Sequence, residues 1–422
     1  MAPTPPAASV WNRPLLGPAL LCLAYTAAAA LLFSRMGYFA HLEDVAFSAG
    51  DARGYRAIAD FLAGHAPSPD PALLEIRPLF FPLLLASYHW VGVPGFLLWQ
   101  WLLNLTTLAV TFLTLRRLTG NGWSGVAGAG LLALHPTFGV IALHALPESL
   151  SLALVALAVS EIVRWGSAGS ARSLALAGLF LGASACTKPV YLPFCVAWLG
   201  YAAWRLFRGR PRAIGVLAGA VAVSPLVVQL ALSALLSGHP GISTAGRVNF
   251  EERFFPAVYG FAAHAGFVSY DSRGAREAQR ACPTLGDKLR FVSTHPIDVL
   301  RAVSGLLASN LVTAEAAVSS PDLIPASRTT RLLEGWSRIL NAAMALVHAA
   351  VVVLLVGMLP FKAWRVLPGW TLFLAAMALG VLLSSVLTYW QGDRLLLAAV
   401  PIWAVAYPAM VLAMVRARQV NR

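Results

Sequence analysis

Charge is what this chain is shortest of. Only 12% of its 422 residues are charged while 58% are apolar, and a soluble domain needs about 25% charge to cover its surface. A water-soluble globular protein is therefore excluded. Carboxylates are scarcer than cations, 18 against 31, which leaves a net charge of +13. Cysteine is nearly absent. Cys22, Cys186 and Cys195 lie in apolar stretches and Cys282 in a polar one, with no Cys-x2-Cys pair, so neither a disulfide framework nor a thiolate zinc site is indicated. The histidines lack zinc-ligand spacing. There is no Walker A loop, no Gly-x-Gly-x-x-Gly and no His-Glu-x-x-His. Strand-like alternation is missing too, which argues against a transmembrane β-barrel.

What is present is a succession of apolar runs of about 18 to 24 residues, each long enough to cross about 30 Å of hydrocarbon as a helix. A chain dominated by such runs is an all-α polytopic membrane protein, because helices satisfy their own backbone in lipid. The expected spans are Pro14–Ser34, Val93–Leu115, Gly122–Ile141, Leu146–Val163, Ser173–Thr187, Val190–Phe207, Ala213–Leu236, Trp336–Leu359, Pro368–Tyr389 and Leu395–Val415, about ten in all. Arg13 precedes the first run, which lacks a small-residue cleavage site and reads as a retained helix rather than a signal peptide. The chain divides into residues 1–236 with seven spans and a first outer loop at 35–92, a large outer loop at 237–335, and residues 336–422 with three spans.

Sidedness turns on Pro78–Val91, an apolar segment of about 14 residues. If it does not cross, one face receives Arg13, Arg116, Arg117, Arg164, Arg172, the Arg205–Arg212 cluster, Lys362, Arg365 and the C-terminal arginines, with Glu161 as its only acid. Cytoplasmic loops carry such an excess of Lys and Arg. If it does cross, Arg13 parts from every later cluster. The segment is therefore read as interfacial, with both termini cytoplasmic. Most of the net positive charge is then topological, and nucleic-acid binding is not implied.

In the first outer loop, Tyr55, Ile58, Ala59 and Leu62 share one face of a helix that starts near Asp51. Asp51 reads as an N-cap, as a general base held at the membrane surface, or as both. Glu148 follows Pro147 inside an apolar run. An ionisable residue at membrane depth is a site candidate, and an acid at a helix start is also simply favoured by the dipole. His144 and His135 stand close to it in sequence.

The pattern Asp51-x3-Tyr55-x3-Ala59-x2-Leu62, then Arg77-Pro78-Leu-Phe-Phe-Pro82, resembles the first outer loop of GT-C glycosyltransferases. It is similar to the branch of protein O-mannosyltransferases and lipid A aminoarabinose transferases. Leu146-Pro147-Glu148-Ser149, Gly178-x3-Gly182-x5-Lys188-Pro189, His295-Pro296 and Tyr389-Trp390-x2-Asp393-Arg394 follow in the order of that family. The resemblance implies a GT-C-like layout, with juxtamembrane helices in the first outer loop and a large outer loop. It implies an inverting transfer of a hexose or pentose from a polyprenyl-phosphate carrier, at the periplasmic face of a bacterial inner membrane. Asp51 would be the base. Lys188, Arg394 and Arg77 would hold the lipid phosphate, and Tyr55, Glu148 and His144 would line the substrate site. The acceptor would be a glycan, a lipid or a protein. The chain departs from the family at Ala52, where many members carry a second acid, and Glu43-Asp44 upstream is the rival for the base. No Asp-x-Asp pair is present to hold the metal of a nucleotide-sugar enzyme. No cofactor is implied, and a divalent metal held by carboxylates stays open. The competing reading is a polytopic transporter or lipid-linked sugar flippase. Against it, the polar residues gather at one face, and the paired repeats usual in transporters are missing.

Overall fold

The computed structural model describes residues 10–13, 15–209, 212–264, 266, 272–312, 328–358, 363–387 and 396–420. Tyr389, Trp390, Asp393 and Arg394 lie outside the described residues, as do Lys362, Arg210 and Arg422. Every regular element described is helical.

In chain order the helices are α1 Leu16–Arg35, α2 Leu42–Ser48, α3 Gly50–Leu62, α4 Pro71–Ile76, α5 Phe80–Leu85, α6 Tyr88–Thr119, α7 Gly122–Ala133, α8 Pro136–Val140, α9 Glu148–Ala168, α10 Ala171–Ala185, α11 Leu192–Gly209 and α12 Arg212–Ser237. After α12 come α13 Ala245–Asn249, a π-helical turn Phe250–Phe254, α14 Phe255–His264, α15 Arg273–Ala281, α16 Leu285–Thr294 and α17 Pro296–Val312. The chain then runs through α18 Arg328–Met358, α19 Gly369–Ser384 and α20 Val400–Val420. Each of the ten expected spans overlaps described helix, but Gly122–Ile141 is split between α7 and α8. Six described helices are long and apolar enough to cross a membrane, or seven if α7 and α8 count as one broken span. The break between those two is a 73° bend ahead of Pro136, which has no N–H to donate and disfavours helical geometry in His135 before it.

The segment Pro78–Val91 does not form one helix. It gives α5, six residues long and so about 9 Å at 1.5 Å per residue, and then the first turn of α6. There Gly92, at φ +72° and ψ 165°, breaks the helix. That left-handed backbone suits glycine and sets the start of the long span at Val93. Residues 35–92 thus hold a set of short helices, α2 to α5, each too short to cross about 30 Å of hydrocarbon.

The core of the bundle is α9, the most buried of the candidate spans, packed by α6, α10 and α20. Small residues let these helices approach. At Gly178 of α10 a Cβ would stand 2.7 Å from Ala222 Cβ of α12, so the glycine permits that crossing.

The group of helices α13 to α17 has a polar centre of its own. Glu251 accepts from buried Lys288 at 2.6 Å and from Arg247 at 2.5 Å, beside the packed rings of Phe255, Tyr259 and Phe291. It is joined to the first loop where Thr244 N–H donates to the Glu75 carbonyl at 2.9 Å. The hydrogen bonds from Arg247 and Lys288 hold the Glu251 carboxyl below its ordinary range. A depressed carboxyl contributes stability above its unfolded value, about 4.3, and loses it as pH falls through the folded value. Limited proteolysis of this segment is therefore expected to be faster at pH 3.5 than at pH 6. Glu251→Gln is expected to be cleaved quickly at both, and equal resistance of that variant at pH 6 would remove the hub role.

Candidate functional site

Four stretches distant in sequence meet over one end of the bundle. The first is the start of α3. Ala49 is extended, at φ −66° and ψ 137°, and separates α2 from α3. The helix cap is thus Ala49, and Asp51 is the second helical residue rather than the cap; the helix dipole favours its charge there. One turn on, Tyr55 is buried and meets Phe81 edge-to-face, while Ile58 and Ala59 fill the same buried face. The amphipathic register read from the sequence is the register observed.

The second stretch is Arg77-Pro78. Arg77 follows α4 in an extended conformation, as the residue before a proline prefers. Its Nη2 donates to Asp51 Oδ1 at 2.5 Å, and its guanidinium lies 4.8 Å from the centre of the Tyr55 ring, within cation–π range. Gly54 makes room: a Cβ there would sit 3.3 Å from Leu73 Cδ1 and 3.8 Å from Arg77 Nε. Burial works against the Arg77 charge, but Asp51 and Tyr55 outweigh it and raise its pKa. Burial, opposed by the Arg77 charge, pushes the Tyr55 hydroxyl up to about 12, so it stays neutral and able to donate.

The third stretch joins the ends of α9 and α10. Lys188, extended ahead of Pro189, brings its Nζ to 3.3 Å from Glu148 Oε1. Glu148 opens α9 and is 2% exposed. The fourth is the π-helical turn Phe250–Phe254, which carries Arg253.

Asp51, Tyr55, Arg77, Lys188, Arg253 and Asn249 line one cavity of about 390 Å³, whose apolar wall includes Val190, Val381, Leu387 and Ala398. Among the described lining residues three cations face one carboxylate, a balance that attracts anions. The cavity pairs a dense polar end with an apolar side, the combination that suits an amphiphilic anion.

Of the residues picked out in the sequence, Asp51, Tyr55, Arg77 and Lys188 come together. Glu148 touches Lys188 but does not line the cavity. Glu43 and Asp44 are exposed in the first turn of α2 and are not part of its lining. His144 is buried, with Nδ1 3.0 Å from the Val140 carbonyl, and His135 lies 3.2 Å from Asn341 Oδ1 of α18; neither lines the cavity. Arg394 lies outside the described residues. Arg253 and Asn249 were missed. The aromatic cluster Asn249–Tyr259 was visible in the sequence, but a charged residue in a polar loop reads as solvated until the loop is folded over the site. Among the described residues no three His, Cys, Asp or Glu side chains gather as a metal site.

Residues 78–229 match the family model described as dolichyl-phosphate-mannose-protein mannosyltransferase. The matched region takes in Glu148 and Lys188; Arg77 immediately precedes it, and Asp51 lies outside it, nearer the N-terminus. The match supports the GT-C resemblance read from the sequence motifs. Among solved structures the chain is similar to the crystal structure of ArnT from Cupriavidus metallidurans bound to undecaprenyl phosphate, at 16% identity and a TM-score of 0.39 over 92% of this chain and 78% of that one. No curated protein matches the sequence.

Proposed function

We propose, from the family match and the cavity it adjoins, that this membrane protein is a glycosyltransferase using a polyprenyl-phosphate-linked sugar, and that it works on the extracytoplasmic face. The acceptor hydroxyl gives its proton to Asp51 as its oxygen bonds to the anomeric carbon. The bond from that carbon to the phosphate oxygen breaks, and the lipid phosphate leaves with the electron pair. A single displacement inverts the anomeric centre. Lys188, Arg77, Arg253 and Arg394 are assigned to the departing phosphate, whose developing charge needs fixed cations. Tyr55 positions Arg77, and Glu148 positions Lys188. The apolar wall suits the first isoprene units. The observation that carries this reading is the meeting of the Asp51 carboxylate and the Lys188 ammonium in one amphiphilic cavity.

The pairing of Asp51 with Arg77 favours a second reading, in which Asp51 aims Arg77 at the phosphate instead of taking a proton. In the first reading, the bound phosphate must share Arg77 and so release the carboxylate. Purified protein in nanodiscs, given synthetic polyprenyl-phosphate sugars and acceptor extracts, tests the activity; release of lipid phosphate coupled to glycosylation is the expected result. No transfer from any such donor would overturn the assignment. The product's anomeric configuration, read by NMR, checks inversion. Arg253→Gln removes a charge-assisted contact and is expected to raise the donor KM about 10–100-fold. An unchanged KM would take Arg253 out of the site.

A further inference from the structure

A second basic cavity lies at the opposite end of the bundle. It measures about 600 Å³ and sits where α6, α9 and α10 come together. Arg164, on its rim, is about 24 Å along α9 from Glu148 at 1.5 Å per residue, so the two cavities are separate. Positive charge on this face is expected from topology alone, but topology does not require Arg116, Arg117 and Arg164 to line a single concavity. They do. The only carboxylate among its described lining residues is Glu161, whose side chain is 9% exposed and is engaged by Arg164 at 2.8 Å. The charge of Arg116 and Arg117 is thus in excess.

The wall beneath the arginines is apolar. Leu113 stands one turn before Arg117 on α6, Leu157 two turns before Arg164 on α9, and Phe180 well inside α10; all three are half-buried and line the cavity. Each lies toward the bilayer centre from the cations. A cationic lip over an apolar channel complements a lipid with an anionic headgroup. A free phosphate would use the lip alone and leave the channel unexplained.

We infer that this cavity holds one anionic phospholipid of the leaflet opposite the Asp51 cavity, with its phosphate on Arg116 and Arg117 and an acyl chain along Leu113, Leu157 and Phe180. Basic pockets between transmembrane helices bind anionic headgroups by this chemistry. The inference is independent of the transferase reading.

Native mass spectrometry of the full chain, released from nanodiscs of mixed phosphatidylglycerol and phosphatidylcholine, tests it. The wild type is expected to retain one phosphatidylglycerol. Arg116→Gln with Arg117→Gln is expected to lower that retention about 30-fold, whereas Arg172→Gln, an exposed cation on the same face but outside the cavity, leaves it unchanged. Should the double variant fail to fold, Leu157→Trp narrows the channel without altering charge and is expected to lower retention too. Equal loss in Arg172→Gln would mean general surface attraction and overturn the site. So would undiminished retention in Leu157→Trp or in the double variant, or displacement of phosphatidylglycerol by inorganic phosphate, which would mean a free anion.

Discussion

Asp51→Asn is expected to lower sugar transfer about 10²–10⁴-fold, the usual contribution of a positioned general base, with folding intact. The substitution keeps the shape of the side chain and an oxygen for Arg77 Nη2, now 2.5 Å from Oδ1. It removes the charge that can take a proton. The expected loss is in kcat, with the donor KM little changed, and the acidic limb of the pH–rate profile disappears. The positioning reading predicts otherwise: donor KM rises because Arg77 is no longer aimed, and the acidic limb survives. Transfer by Asp51→Asn close to the wild-type rate would rule out both roles. Glu43→Gln and Asp44→Asn are expected to have little effect, because those side chains are exposed and outside the cavity lining.

Lys188→Met is expected to have the largest effect on stability. The Glu148 and Lys188 side chains are 3% and 15% exposed and 3.3 Å apart. Removing one member of a buried pair costs about 3–5 kcal/mol, because the other charge stays desolvated without its counterpart. Thermal unfolding in detergent should therefore show a sharply lower midpoint for Lys188→Met. Adding Glu148→Gln should restore most of the loss, and the double-mutant cycle measures the coupling. The same pair separates structure from function. If Lys188 also grips the donor phosphate, the restored double variant remains deficient in transfer. If transfer returns with stability, Lys188 serves only to neutralise Glu148, and the phosphate falls to Arg77, Arg253 and Arg394.

Much of the first outer loop was legible before folding. The Tyr55, Ile58, Ala59 and Leu62 register follows from helical spacing, and the failure of Pro78–Val91 to form a spanning helix follows from its shortness. The role of Gly92 was not legible, since an isolated glycine in an apolar run says nothing of its φ. Asp51 as a cap was a fair expectation from composition, but the extended backbone at Ala49 moved the helix start two residues earlier. His144, close to Glu148 in sequence, was expected beside the substrate. The short helix α8 and the turn after it instead turn it toward the Val140 carbonyl.

The sequence by itself determined the all-helical membrane architecture, because apolar run length and the scarcity of charge leave no other way to satisfy the backbone in lipid. It also determined the short surface helix carrying Asp51, since periodicity is a local property. Only the tertiary structure decided which charges meet: Arg77 on Asp51, Lys188 on Glu148, Arg253 in the lining of the same cavity as Asp51 and Lys188, and three arginines around a second cavity. Those meetings depend on how closely helices such as α10 and α12 pack, and that is settled by contacts between residues far apart in the chain.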